Sequence, residues 1–464
     1  MVMKVSNHLC SLAAVSGPIS FAADNLTNVS EMTATTGKQA VRIGLLGCGN
    51  VGGALVPLLN AQRESIRART GVDVQVTMVA VRNISRDRGV DLGSIAVTND
   101  AMAVVTDPDV DLVVEVIGGI EPARELIVAA IEAGKPVVTG NKELLANHGA
   151  ELFALADAQG VDLLFEAAVA GGIPLIRPLR ESLRGEPLTR VMGILNGTTN
   201  YILSKMSNEG ADYGEALAEA QRLGYAERDP TADVEGYDAG AKAAIIATIA
   251  FGVKVVAGDV YHEGISNITA GDIAIARRLG YTVKLLGIAE QDPETSEVAV
   301  RVHPAMVPND HPLASVRDSY NAVFVEGASV GSLMFYGRGA GGGPTASAVL
   351  GDVIDAAVNL CNGTHGTIGS FQRARVRAID ATSAEYLLAL DVVDRPGVLH
   401  SVTGVFAEHG VSIRAAEQEG AGDEARLVFI THVALESSVQ ATVRKLRELD
   451  VVRRIGGLIR VIGG

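Results

Sequence analysis

From Arg42 onward, short and nearly continuous apolar runs alternate with stretches of helical spacing: "VRIGLLG", "VQVTMVAV", "VDLVVEVIG", "KPVVTGN" and "VDLLFEAAV". A strand with one wet face alternates apolar and polar residues, whereas runs that stay apolar belong to strands covered on both faces, as in a helix-flanked parallel sheet. The pattern predicts an α/β unit over residues 39–155. Between 156 and 338 strands and helices mix without that alternation, which predicts a second, mixed α+β unit. "FYGRGAGGGPTASAVLGDVIDAAVNLCNG" then gives a glycine run that opens a helix, and residues 339–370 are expected to pack back on the first unit. A polar stretch, 371–383, reads as a linker. Within 384–464, "EYLLALDVVDRPGVLHSVTGVFAEHGVSI" reads as strand, turn and helix; "ARLVFITHVAL", "SVQATVRKLREL" and "VVRRIGGLIRVIG" complete a compact βαββαβ, ferredoxin-like order.

One segment of the second unit breaks the usual relation between charge and burial. From Ala243 to Val253 the chain is apolar on every side, as expected of a helix buried all round. It is nevertheless led in by Asp238 and Lys242, one helical turn apart. A solvated pair at this spacing contributes only ~0.2–0.5 kcal/mol, while an unpaired buried charge costs several kcal/mol, roughly. Two charges at the mouth of a buried helix therefore suggest a cleft. In "GYAERDPTADVEGYDAGAK" the acids Glu227, Asp233 and Asp238 precede Lys242, a set of acceptors suited to a ligand ammonium.

Composition narrows the choices. At 464 residues the chain is too long for one core, and domains of about 100–200 residues imply two to four of them. The net charge of −15 and the lack of a dense Lys/Arg block with interleaved aromatics argue against a nucleic-acid partner. Cys10, Cys48 and Cys361 are scattered without CxxC spacing, so neither a disulfide framework nor a zinc site is suggested, and a reducing, cytoplasmic setting fits. The longest apolar helix candidate, bracketed by Lys242 and Lys254, falls short of the ~20 residues needed to span a bilayer. "HLCSLAAVSGPISFAADN" imitates a signal peptide, but its charged leader holds only Lys4. Residues 1–38 are read instead as a disordered extension.

"VRIGLLGCGNVGGALV" places Gly47, Gly49 and Gly52 in GxGxxG spacing after a strand and before a helix, with Asn50 and Val51 opening that helix. Such glycines allow a tight turn and close approach of backbone to a pyrophosphate, which the helix N-terminus attracts; this is the Rossmann dinucleotide arrangement. After the second strand stands Arg82, where folds that prefer NAD carry an acid. A guanidinium suits a 2′-phosphate, so NADP is the expected cofactor, with NAD possible. Lys142 in "TGNKELL" follows a strand end, and Gly341 lies in the late glycine run; both fit the same crevice. A redox cofactor needs a proton source or sink, and a lysine tuned by a neighbouring acid provides one.

"GLLGCGNVGGALV", "TGNKELL", "FEAAVAGGIP", "ILNGTTNYIL", "GYAERDPTADVEGYDAGAK" and "GRGAGGGPTASAVLGD" together resemble homoserine dehydrogenases of the monofunctional form with a C-terminal ACT domain, from about Lys38 to the C-terminus. The resemblance implies NADPH-dependent reduction of L-aspartate 4-semialdehyde to L-homoserine, on the route to threonine, methionine and isoleucine. It implies Lys242 as proton donor, Lys142 as a second lysine of the site, and Asp238 as the residue that orients the substrate hydroxyl. Glu227 matches the residue that receives the substrate amino group, with Thr198, Tyr225 and Asp233 around it. The carbonyls of Glu166, Val169, Gly171 and Ile173 match a monovalent cation site, usually assigned to sodium. "DRPGVL", with Asp394 and Gly397, resembles the ACT turn that binds amino acids between paired copies, which implies threonine as effector. The family precedent is a dimer or tetramer.

Other chemistries fare worse. A thioester-forming semialdehyde dehydrogenase needs a cysteine beside a base, and none of the three cysteines is so placed. The histidines lack HExxH spacing. The alternative from another class is a non-catalytic sensor joining a nucleotide-binding and an ACT domain, which has no need of the Lys142 and Lys242 pair.

Overall fold

The computed structural model describes residues 40–369, 371–420 and 425–463. The expected extension, 1–38, and Cys10 lie outside them. Six parallel strands form the first sheet: β1 (Ala40–Leu46), β2 (Asp73–Ala80), β3 (Ala96–Thr98), β4 (Leu112–Glu115), β5 (Val137–Thr139) and β6 (Leu163–Leu164), in the order β3-β2-β1-β4-β5-β6. Val41, Ile43, Leu45 and Leu46 of β1 are fully buried because helices cover both faces. The strand order reverses between β1 and β4, which opens a crevice at their carboxyl ends. The helix Gly342–Asn362 returns from far along the chain to lie on the helix Asn50–Thr70, burying Val349, Val353, Ala356 and Ala357 in the same core as Leu55, Val56 and Leu59.

A second sheet runs Gly331–Arg338, Tyr320–Gly327, Leu188–Ile194, Tyr281–Gln291 and Val298–Pro308, antiparallel throughout. The apolar helix Tyr237–Phe251 packs against its central strands, with Ala243, Ala244, Ile245 and Ile246 buried. The terminal unit has strands Ser383–Val392, Ile413–Glu419, Arg426–Thr431 and Val452–Val461, with helices Val398–Glu408 and Glu436–Leu446. Its spatial order puts the last strand beside the first, then the third, then the second, as in ferredoxin-like folds.

Two features go beyond the sequence reading. The last strand also pairs with Val298–Pro308, placing Ala305 opposite Arg460 and Met306 opposite Val461, so the second and terminal sheets are continuous. The stretch 371–383, read as a linker, runs along the second unit. Gln372–Arg373 pair with Val253–Lys254, and Arg377 sits between Asp292 at 2.6 Å and Glu297 at 3.1 Å. Phe371, Ala374 and Val376 also pack on the core, the Phe371 ring standing edge-on to that of Phe153 at 6.1 Å. These few apolar residues are spread among polar ones, so the stretch shows no apolar run in sequence. No described helix is long and apolar enough to cross a membrane.

Candidate active site

The loop after β1 is shaped by missing side chains. Gly47 has φ +98° and donates its N–H to the Ala80 carbonyl at 3.0 Å. A Cβ added there would lie 3.0 Å from the Val116 carbonyl oxygen, and one added at Gly52 would lie 2.1 Å from the Gly47 oxygen. Both glycines are therefore required by the turn and by the closeness of helix to loop. Around Gly49 an added Cβ meets no atom of the described residues within 4 Å, so among them this position faces open space above the helix N-terminus. Asn50 and Val51 begin that helix, its first turn holds no acid, and Gly49 brings no side-chain cap. The leading amides are left for an anion, as a pyrophosphate requires. Gly341, at φ +123°, precedes Gly342, whose added Cβ would lie 2.6 Å from Asn50 Oδ1; the late glycine run thus closes one side of the loop. Arg82 is exposed, two residues past the end of β2.

Across the crevice three charged side chains share one point. Lys142 is the first residue of the helix after β5, and Asn141 caps that helix by accepting the Leu144 N–H at 3.1 Å. Lys142 Nζ lies 2.9 Å from Asp238 Oδ1, while Lys242 Nζ donates to Asp238 Oδ2 at 2.7 Å and to the Leu195 carbonyl at 2.7 Å. Asn196 Nδ2 donates to Asp238 Oδ2 at 2.9 Å and to Asp233 Oδ1 at 2.7 Å. Burial by itself would raise the Asp238 pKa, but the Lys242 and Lys142 ammoniums hold it well below the usual carboxylate range. Asp238 in turn raises the Lys142 pKa against desolvation. Burial raises that of Asp233 although Asn196 donates to it. The Lys242 side chain is 10% exposed, whereas that of Lys142 is 43% exposed. The two ammoniums flank the Asp238 carboxylate, with Asp233 one amide further off, an arrangement that offers donors to an oxygen on which negative charge develops. Asp238, with both oxygens engaged, is an anchor.

Of the other sequence candidates, Thr198 Oγ1 donates to the Tyr225 carbonyl at 2.6 Å, and the Tyr225 ring stands 4.9 Å from that of Tyr201. Glu227 is exposed, and among the described residues its carboxylate makes no hydrogen bond or ion pair; no direct contact joins it to the lysines. The Glu166 carboxylate accepts the N–H groups of Leu175, Ile176 and Arg177, so its side chain is committed to capping. In the turn that follows, Ala170 and Gly171 both have positive φ, and an added Cβ at Gly171 would lie 2.3 Å from the Gly339 carbonyl oxygen. Beside it Asp352 is pushed up to about 7, by burial foremost, although Arg177 pairs with it at 2.7 Å. Among the described residues no three His, Cys, Asp or Glu side chains gather as a metal site. In the terminal unit Asp394 is exposed, and Gly397, at φ +93° with no atom of the described residues within 4 Å of an added Cβ, caps the helix Val398–Glu408.

The sequence reading did not single out Asn196, which joins the two aspartates, or the Leu195 carbonyl. It also passed over Glu115, whose carboxylate accepts Thr139 Oγ1 at 2.6 Å and the Ile117 N–H at 2.8 Å, fixing the strand ends below Lys142. Asn196 was findable: Asn before Gly-Thr-Thr at a strand-to-helix junction is a helix-capping signal, and it accepts the Thr199 N–H at 2.9 Å. Glu115 reads in sequence as one polar residue in an apolar run.

Glycine loop, paired lysines and terminal βαββαβ unit define the class: an NAD(P)-dependent oxidoreductase carrying an ACT domain. The chain matches the family profiles described as homoserine dehydrogenase over residues 174–354, homoserine dehydrogenase NAD binding domain over 47–166, and ACT domain over 386–451. The chain belongs to the homoserine dehydrogenase family. It is 50% identical to the homoserine dehydrogenase of Corynebacterium glutamicum, with 94% of this chain and 99% of that one covered. The Mycobacterium tuberculosis enzyme is 48% identical, covering 92% and 98%. A crystal structure of a homoserine dehydrogenase from Thiobacillus denitrificans superposes with TM-score 0.87 at 42% identity, over 92% of this chain and 99% of that one. A hyperthermophilic archaeal homoserine dehydrogenase in complex with NADPH gives TM-score 0.60 at 29% identity, over 69% and 98%.

Proposed function

We propose that the chain interconverts L-aspartate 4-semialdehyde and L-homoserine with NADPH, serving the synthesis of threonine, methionine and isoleucine in the cytoplasm. The observation that carries this reading is the single carboxylate of Asp238 held between Lys142 and Lys242 at 2.9 and 2.7 Å. The nicotinamide, when bound, supplies or accepts the hydride. Lys242 spends two of its three ammonium donors on Leu195 and Asp238, which aims the third, and it gives its proton to the aldehyde oxygen as that oxygen becomes a hydroxyl. Lys142 steadies the same oxygen from the nucleotide side, and Asp238 orients both lysines and the substrate hydroxyl. Glu227, its carboxylate committed to no partner among the described residues, receives the substrate ammonium, assisted by Asp233, Thr198 and Tyr225. Gly47, Gly49, Asn50, Val51, Gly52 and Gly341 receive the pyrophosphate. Arg82, solvent-facing past β2, favours the 2′-phosphate of NADP over NAD.

The turn at 166–173 suits a sodium ion: among the described residues the carbonyls of Val169, Gly171 and Ile173 accept no hydrogen bond, and that of Glu166 accepts only a long one, 3.4 Å, from Val169. Asp394 and the open backbone at Gly397 form the threonine site between paired ACT units, in a homodimer or tetramer with no nucleic-acid or membrane partner. The test compares initial rates with L-homoserine and NADP for the parent and Lys242→Ala, shown to be folded and to bind NADPH. Activity in the parent and a loss of about a hundredfold or more in the variant are expected. A parent that binds NADPH and turns over neither substrate would instead favour the amino-acid sensor.

A further inference from the structure

The segment Tyr261–Ser266 lies against the start of the lysine-bearing helix and is gripped from the other side by the ACT domain. Tyr261 and His262 pair with Arg301 and Val302 of the second sheet, and the Glu263 N–H continues the ladder to the Val302 carbonyl at 2.8 Å. Ile265 N–H donates to the Val234 carbonyl at 2.8 Å and Ser266 Oγ to Glu235 Oε1 at 2.6 Å, which ties the segment to the turn between Asp233 and Asp238. The His262 ring rests on the helix backbone itself. A Cβ added at Gly240, midway between Asp238 and Lys242, would fall 2.0 Å from His262 Nε2, and the Tyr237 ring flanks the imidazole at 5.1 Å.

The ACT domain supplies the anchor. Arg460 of its last strand is 3% exposed and donates Nη1 to Glu263 Oε2 at 2.6 Å. Its Nε and Nη2 donate to the two oxygens of Glu436 at 2.8 Å each, and its guanidinium lies 5.5 Å from the centre of the Tyr261 ring. Held by a bidentate pair inside the ACT domain, Arg460 is not free to follow Glu263 if the segment moves. With no side chain at Gly240 to act as a cushion, displacement of His262 is displacement of the helix turn that carries Asp238 and Lys242. Geometry errors of this kind at a reacting centre are costly: about 1 Å of misplacement can slow a reaction some hundredfold.

We infer that Tyr261–Ser266 is a positioning strap: His262 and Glu263 set the place of Asp238 and Lys242, and the Arg460–Glu263 pair ties that place to the ACT domain. This rests on the reading of Lys242 as the proton donor. The test uses the full chain with Glu263→Gln, which removes the charge that Arg460 holds, Glu263→Asp, which keeps it, and Lys242→Ala alongside. The strap requires kcat to fall about tenfold in Glu263→Gln while KM for NADPH stays within about twofold, and at least half of the loss, roughly, to return in Glu263→Asp. Parent-like turnover in Glu263→Gln overturns it. So does a loss that KM for NADPH shares or that Glu263→Asp leaves in place, since either marks general loosening of the fold. A second measurement addresses the contact directly. Gly240→Ala should depress kcat, and the double variant with His262→Ala should recover part of it; additive losses refute the contact as a positioning device. If Lys242→Ala keeps the parent rate, the reading of the site fails instead, whatever the strap variants do.

Discussion

The glycine loop and the mouth of the lysine helix face one crevice and are built in opposite ways. At Gly47 and Gly52 the chain works by leaving side chains out, so that a backbone carbonyl and a helix end come within distances no Cβ tolerates. At Asp238 it works by putting charges in, each held by another: Lys142 and Lys242 by the carboxylate, the carboxylate by Asn196, Lys242 by the Leu195 carbonyl. A steric site of the first kind is spoiled by addition. An electrostatic site of the second kind is spoiled by removal, because each deletion strands a buried partner.

The largest effect should follow from removing the shared anion. Asp238→Ala leaves two ammoniums facing one another with no carboxylate between them. We expect kcat/KM to fall about a thousandfold or more. Breaking this buried arrangement should also cost about 3–5 kcal/mol of folding stability, read from urea denaturation beside the steady-state rates. A variant as stable and as fast as the parent would mean that the lysines do not depend on Asp238.

A smaller effect separates two glycines three residues apart. Gly52→Ala forces a Cβ onto the Gly47 carbonyl at 2.1 Å, so the loop must shift; a loss of about 1–3 kcal/mol of stability is expected, along with cofactor affinity. Gly49→Ala meets no atom of the described residues within 4 Å. Its stability should stay within about 1 kcal/mol of the parent, while NADPH binding by fluorescence titration weakens about tenfold or more, since the methyl occupies the space of the pyrophosphate. Equal behaviour of the two variants would place the dinucleotide elsewhere.

The contrast also explains what could be read without a structure. The glycine loop is one contiguous stretch whose strand and helix context is written beside it, so its spacing carried both fold and ligand. Asp238 and Lys242 announced themselves by charge at a buried helix. That Lys142 completes the trio is a fact of tertiary structure, because it comes from the end of β5 in the other unit; only the family resemblance put the two lysines in one site. The joining of the second and terminal sheets rests on Ala305 and Met306 meeting Arg460 and Val461. Backbone pairing of this sort leaves no side-chain pattern. Arg460 looks in sequence like a basic residue on a terminal strand, and its three-sided grip on Glu436, Glu263 and the Tyr261 ring has no sequence signature.

The smallest expected effect is also the sharpest check on the electrostatic half of the comparison, because it has a predictable pH window. Asp238 has a folded pKa below its unfolded value, so its contribution to stability is complete above the ordinary aspartate range and is lost only as pH falls through the lower folded value. Lys142 has a folded pKa raised by Asp238, so its contribution is complete below the ordinary lysine range and is lost as pH rises through the higher folded value. The stability difference between the parent and Lys142→Met should therefore be flat from about pH 5 to pH 9, shrink below about pH 4, and shrink again above about pH 10.5. With 43% of the Lys142 side chain in solvent, screening limits the plateau to about 1 kcal/mol. A difference that instead changed steadily between pH 6 and pH 8 would assign the coupling to a group titrating there, and Asp238 would no longer be the anion that holds Lys142.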